Sequence, residues 1–311
     1  MGHAPRAPRA VAALLVGLLV GGCDPLLDEE QRIADLRVLA VQVTPDVGAL
    51  GRDPGAPVVR ALVVDPLDPD GDDLTHTWAP ELGDEDFEGR DDVESLVPEG
   101  PHGPSITLDF GAFGGRDGEW EDFALPLRYT VANGDLTREA IRVARFLAPP
   151  EDVPFPEWPD PELHPEYNAN PTIDVIERLS PDGDEVLRRW AEPPGPSAAL
   201  WMGEVGDEGL RFRVSLSDDG PAGDLVVSLL WTVGHAGLPD ADGVLEDDGD
   251  GRAPLGDGVS PVLDNLQDPR EFGWTPPRDE DEVVPRLFLV VRDPDGGQTW
   301  QELRPHAATR P

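Results

Sequence analysis

The chain has 311 residues, room for one or two domains once a leader is removed. Its 36 Pro and 34 Gly make it turn-rich, but eight Trp exclude a disordered tract, which would be poor in aromatics. The formal charge is −39, and because the sequence has no lysine every fixed side-chain cation is Arg, so nucleic acid and anionic lipid head groups are excluded as electrostatic partners.

The first 22 residues have the three parts of an export leader. Arg6 and Arg9 form a basic start, Val11–Val20 an apolar run too short to span a bilayer, and Gly21 and Gly22 the small residues a peptidase needs. Cys23 follows, the one cysteine of the chain, so no internal disulfide can form. Val20-Gly21-Gly22-Cys23 resembles the lipobox of bacterial lipoproteins. The resemblance implies lipidation of the Cys23 thiol, cleavage before it, and a membrane partner held through the lipid. Asp24 resembles the inner-membrane retention signal of enteric bacteria. That rule varies between bacterial groups and leaves open which membrane of the cell envelope holds the anchor.

Residues 23–35 read as a lipidated polar tether. Leu36–Val43, Val58–Val64, Leu74–Trp78 and Ser105–Phe110 then read as strands. Leu127, Tyr129 and Val131 alternate with Arg128 and Thr130, and Thr137–Val143 returns across Ala132-Asn133-Gly134-Asp135, a hairpin signal. These segments define a first β-sandwich module over 36–148. Residues 149–171 are too rich in proline for helix or central strand and read as an extended linker.

The second module, 172–307, repeats the plan. Thr172–Glu177 opens it, Arg211–Ser217 alternates with Phe212, Val214 and Leu216 on one face, and Leu225–Val233 contains Trp231. Leu287–Val291 and Gln298–Leu303 close it. Trp231 follows Trp78 by 231 − 78 = 153 positions and Leu287 follows Leu127 by 287 − 127 = 160, which predicts a duplication with extra residues in the second copy's middle. Asp184–Ala191 is the one segment with a helical pattern, about two turns. The fold class expected is all-β: two antiparallel immunoglobulin-like β-sandwich modules with little helix.

Two acidic stretches are candidate metal sites. In the first, Asp68, Asp70, Asp72 and Asp73 crowd a tight turn, and calcium takes six to eight hard oxygens. The competing reading is a plain turn, with Gly71 at positive φ and soluble carboxylates around it. In the second, Glu246, Asp248, Asp250 and Asp257 fall at places one, three, five and twelve of a calcium loop. Pro254 and the absence of flanking helical periods favour a solvated acidic loop instead.

Val58–Trp78 resembles the polycystic-kidney-disease and cadherin-like class of immunoglobulin-fold modules. Asp68, Asp70, Gly71, Asp72, Leu74 and Thr75 match its D-x-D-G-D-x-L-T turn before a core Trp, here Trp78. Val291-Arg292-Asp293-Pro294-Asp295-Gly296 matches its closing V-x-D-x-x-G turn. Lipobox, tether, the opening Arg37-Val38-Leu39-Ala40 and tandem modules together resemble envelope lipoproteins of myxobacterial type.

Catalytic motifs are absent: there is no H-E-x-x-H, C-x-x-C, G-x-S-x-G or phosphate-binding glycine loop. Trp78 and Trp231 read as core anchors. Trp120, Trp158 and Trp274 lie in polar or Pro-rich contexts, where they pack under loops or meet a sugar or partner surface. The expected function is that of a lipid-anchored envelope protein, a non-enzymatic binding or structural module whose partner is an envelope protein or glycan. The alternatives are an accessory subunit of an envelope enzyme or secretion complex, or a calcium-dependent adhesion module.

Overall fold

The structure is a computed structural model that describes residues 33, 35–44, 47–49, 57–81, 96–109, 123–147, 170–206, 208–218, 225–232, 235–237, 270–276, 285–294 and 296–307. The leader, Cys23, Asp24 and most of the Pro-rich linker lie outside these residues, as do Trp120, Trp158 and the acidic stretch with Glu246, Asp248, Asp250 and Asp257.

Among the described residues seven strands build the first module: β1 (Arg37–Thr44), β2 (Val47–Ala49), β3 (Val58–Val64), β4 (Thr75–Pro80), β5 (Ser105–Thr107), β6 (Phe123–Asn133) and β7 (Leu136–Leu147). They form a β1-β3-β5 sheet and a β2-β7-β6-β4 sheet. Alternation explains which face turns inward. On β6, Leu125, Leu127, Tyr129 and Val131 are all fully buried, and Trp78 on β4 stands directly opposite Tyr129, ring centroids 4.4 Å apart. The β6–β7 hairpin closes over Gly134 at φ +55°, the positive φ that a two-residue turn demands.

Among the described residues the second module has nine strands: β8 (Thr172–Leu179), β9 (Val186–Ala191), β10 (Leu200–Val205), β11 (Leu210–Ser217), β12 (Val226–Trp231), β13 (His235–Gly237), β14 (Arg270–Thr275), β15 (Leu287–Arg292) and β16 (Gln298–Ala307). Its sheets are β10-β16-β15-β12 and β13-β14-β11-β8-β9. The duplication appears in the connectivity. Each four-stranded sheet places a Trp-bearing strand beside the penultimate strand, then the last strand, then a short parallel edge, β2 on β7 and β10 on β16. In the other sheets β1-β3-β5 corresponds to β8-β11-β14.

The two copies differ early as well as in the middle. The offset between corresponding strands rises from 172 − 37 = 135 at β1/β8 to 210 − 58 = 152 at β3/β11. The inserted residues are the β8–β9 hairpin and the 3-10 turn Gly195–Ser197. The Asp184–Ala191 segment, expected as two helical turns, is therefore mostly strand β9. Pairing with β8 overrides its weak helical pattern, and the turn before it is locked by Gly183 at φ +82° and by the Ser180 hydroxyl, which accepts the Glu185 N–H at 3.0 Å. Trp274 is on β14, fully buried in the core rather than under a loop.

Each module has its own core, and a third apolar cluster joins them. Leu39, Ala40, Leu62 and Val64 of the first module pack with Phe288, Val290 and Trp300 of the second, all buried. Strand β1 is a sheet edge, and edges carry unpaired backbone groups. Side chains from beyond β7 satisfy three of them on alternate residues. Arg292 donates to Leu39 O at 2.7 Å, Gln298 Oε1 accepts the Val41 N–H at 3.2 Å, and Asn170 donates to Val43 O at 2.6 Å. Asn170 also accepts the Gln298 N–H at 2.9 Å, so the end of the linker bonds both modules. Ile33 is buried in the same seam and donates to Trp231 O at 2.8 Å. Apolar burial and edge capping together make the two sandwiches one body.

Candidate functional site

The Asp-rich turn is built from its own side chains. Asp65 accepts from Leu67 N at 2.9 Å and from Asn133 Nδ2 at 2.8 Å. Asp68 uses both oxygens on the loop: Oδ1 accepts from Gly71 N at 3.1 Å and Oδ2 from Asp73 N at 3.0 Å. Gly71 has φ +72°, the left-handed conformation the turn needs. Asp70, Asp72 and Asp73 are exposed. Among the described residues no group of three or more His, Cys, Asp or Glu is arranged to hold a metal ion. Of Asp68, Asp70, Asp72 and Asp73, the most inward carboxylate, Asp68, is directed at amide hydrogens of its own turn. Asp68→Ala is expected to lower stability by about 1 kcal/mol in urea unfolding, from two lost acceptors. Asp70→Ala and Asp72→Ala are expected to leave the midpoint unchanged.

The fold also brings His76 and His102 together, which the sequence spacing does not announce. They form an isolated antiparallel bridge beside β4. His102 Nδ1 accepts the Trp78 N–H at 3.1 Å, so Nε2 carries the proton and bonds Pro98 O at 2.7 Å. His76 Nδ1 lies 2.5 Å from Tyr129 Oη. Burial lowers the pKa of His76 and raises that of Tyr129, so the neutral imidazole accepts from the phenol. His102 Nδ1 and Gly103 O, which accept the backbone and indole N–H groups of Trp78, cap the side of β4 that faces away from β6.

The chemically richest surface lies on the outer face of the β10-β16-β15-β12 sheet, past the seam. On β16, Trp300 faces the seam, and the residues on the same face after it are Glu302, Arg304 and His306. In register, Glu302 is opposite Phe288, Arg304 opposite Trp201, and His306 opposite Glu204. Glu302 is clamped by Arg286 Nε and Arg304 Nε, each at 2.7 Å. Burial raises the pKa of the Glu302 carboxyl, but the hydrogen bonds and charges of Arg286 and Arg304 outweigh it and hold the group below the ordinary value. Arg304 lies 5.7 Å from the Trp201 ring centroid and Arg286 5.1 Å from that of Phe288, a chain of cation–aromatic contacts. Arg286 also donates to Pro69 O at 3.3 Å, which joins the first module's Asp turn to this strip.

Trp201 is 58% exposed, whereas Trp78, Trp231, Trp274 and Trp300 are buried. Its place is fixed from three sides. Gln301 accepts the Gly195 N–H and donates to Ala198 O, both at 2.8 Å, which sets where β10 begins. Arg178 caps the free edge of β10, donating to Met202 O at 2.7 Å and Glu204 O at 2.6 Å. A register shift between Trp201 and Gly203, with Gly203 at φ +86°, lets Glu204 share the outer face. A Cβ at Gly203 would meet Arg178 Nη1 at 2.9 Å, a second reason for glycine. The sequence does not announce this strip, because β9 and the Gly195–Ser197 turn that lead into β10 have no counterpart in the first module. The alternation Trp300, Glu302, Arg304, His306 was the available signal.

No protein-family model matches the chain, and no curated protein matches it. Among solved structures, the first two domains of human protocadherin-24 match at 9% identity, covering 88% of this chain and all of that one, with a TM-score of 0.18. Domains 1–4 of Drosophila N-cadherin match at 9% identity over 87% of this chain and half of that one, TM-score 0.21. The protocadherin gamma-B4 extracellular domain matches at 15% over 86% of this chain and 34% of that one, TM-score 0.20. Such scores fall well below those of a common framework, so the description of the modules rests on their own sheets.

Proposed function

We propose that the protein is a lipid-anchored component of a bacterial cell envelope and acts as a non-enzymatic binding module, rigidly presented. The observation that carries this reading is the seam, which welds the two sandwiches and holds Ile33 inside it. A lipid on Cys23 would be 33 − 23 = 10 residues from Ile33, a reach of at most about 36 Å at full extension. The tether would thus end on a rigid body. The outer strip with Trp201 lies on the sheet that forms the seam, so its position relative to the anchor point would be fixed.

A non-enzymatic role is supported by the assembled titratable groups. His102 caps an edge strand, His76 and Tyr129 bond each other across the β4–β6 pair, and Glu302 holds two guanidiniums. The test has two arms. Cys23→Ser is expected to move the chain from the membrane to the soluble fraction and to change its electrophoretic mobility; an unchanged distribution would refute the anchor. Crosslinking in the native envelope is expected to capture a partner. Turnover of any substrate by the purified mature chain would overturn the non-enzymatic reading.

A further inference from the structure

The geometry points to the Trp201 strip as a binding site for a neutral pyranose glycan, and this rests on the binding-module reading above. An indole held in the open by its strand is a flat apolar platform with polar surroundings. A protein hot spot sits in a well-packed, fully desolvated pocket whose surrounding contacts exclude water, whereas this indole stands open to solvent. Here the neighbours in register are Arg304, Glu204 and His306, with Glu302 and Arg286 beyond. A polyhydroxylated ring with one C–H face matches this mixture: the C–H face lies on the indole and the hydroxyls meet donors and acceptors at its rim.

The donors and acceptors are present in usable form. Arg304 uses its Nε–H on Glu302, and its terminal nitrogens have no protein acceptor among the described residues. Glu204 is exposed and opposite His306, one step along the same face, about 7 Å from the Trp201–Arg304 pair. The platform is preformed, since Arg178, Gln301 and the shift at Gly203 fix β10 without a ligand. Preorganisation lowers the ordering cost of binding. Charge selects the neutral class: a chain at −39 repels polyanions, and Glu302 already neutralises much of the pair of guanidiniums.

The experiment is calorimetric titration of the mature chain in detergent micelles with cellohexaose, mannohexaose and N-acetylchitohexaose, with hexagalacturonate as the anionic comparison. At least one neutral hexamer is expected to bind. Trp201→Ala is expected to weaken it about tenfold or more, while Trp201→Phe keeps part of the affinity. Arg304→Gln is expected to weaken it less. Trp201 is exposed, so the melting temperature of its variants should stay near that of the parent chain and separates lost binding from lost folding. Binding by none of the neutral hexamers, equal binding after Trp201→Ala, or tighter binding of hexagalacturonate would each overturn the glycan assignment. If no hexamer binds but native-envelope crosslinking captures a protein that Trp201→Ala releases, the glycan fails and the binding module stands. If neither probe nor crosslink finds a ligand, both fail.

Discussion

Val290→Asp is expected to split the unfolding of this protein into two transitions. Val290 is fully buried in the cluster that joins the modules, together with Leu39, Leu62, Phe288 and Trp300. A carboxylate there would be unpaired among apolar groups, and burying such a charge costs several kcal/mol, more than most point changes. The chain has a cheaper response than global unfolding. Each sandwich keeps a core that does not include Val290, one around Trp78 and Tyr129 and one around Phe212 and Trp274. Opening the seam solvates the new charge and leaves those cores intact. Calorimetry should therefore show one transition in the parent chain and two, the first at lower temperature, in the variant. Small-angle scattering should report a larger radius of gyration before either transition. A single transition at the parent's temperature would mean that the seam contributes nothing to cohesion.

The edge capping makes the same point from the polar side. Leu39 O, Val41 N and Val43 O are backbone groups of β1 left over by its pairing with β3. If the modules part, Arg292, Gln298 and Asn170 release them to water together. The cost of separation is thus spread over several partners, and no single hydrogen-bond deletion should reproduce the effect of a charge at Val290.

Much of the module plan was legible in the sequence because it depends on local signals. Trp78 and Trp231 lie in alternating strands and are buried as expected, and the Gly134-Asp135 turn closes the hairpin. The Asp-rich turn was legible as a turn for the same reason, since Gly71 and the short reach of Asp68 are local chemistry. The seam was not legible. Leu39 and Leu62 look like ordinary core residues of a half-buried strand, and only the second module shows that their face is covered too. The Trp201 strip was hidden for a related reason. The alternation on β16 is local, but Trp201 joins it through a parallel pairing of β10 with β16 and Phe288 through an antiparallel pairing of β15 with β16, and neither long-range pairing is announced by a short pattern. The segment Asp184–Ala191 misled because isolated periodicity is weak evidence when a neighbouring strand can pair with it.

Glu302→Gln is expected to lower stability at neutral pH and to flatten its fall in acid. The carboxylate is 16% exposed and shared by Arg286, itself 13% exposed, and Arg304. Removing its charge leaves two guanidiniums facing one neutral amide, and breaking a pair this well covered costs roughly 3 kcal/mol. The sign of the pH effect follows from the depressed folded pKa. The unfolded chain has an ordinary glutamate at 4.5, and in the folded chain Arg286 and Arg304 hold the proton off to lower pH. The unfolded state therefore takes up the proton first as pH falls, so the stabilisation is complete above about pH 5 and is lost as pH drops through the folded value. Glu271, hydrogen-bonded by Arg213 and Arg211 and also depressed, acts in the same direction. Urea unfolding of parent and variant should therefore differ most at pH 7 and converge as the pH falls below the ordinary glutamate value, with a residual slope from Glu271 and the other carboxylates. A constant difference across that range would mean that Glu302 acts by packing and that its two arginines do not depend on its charge.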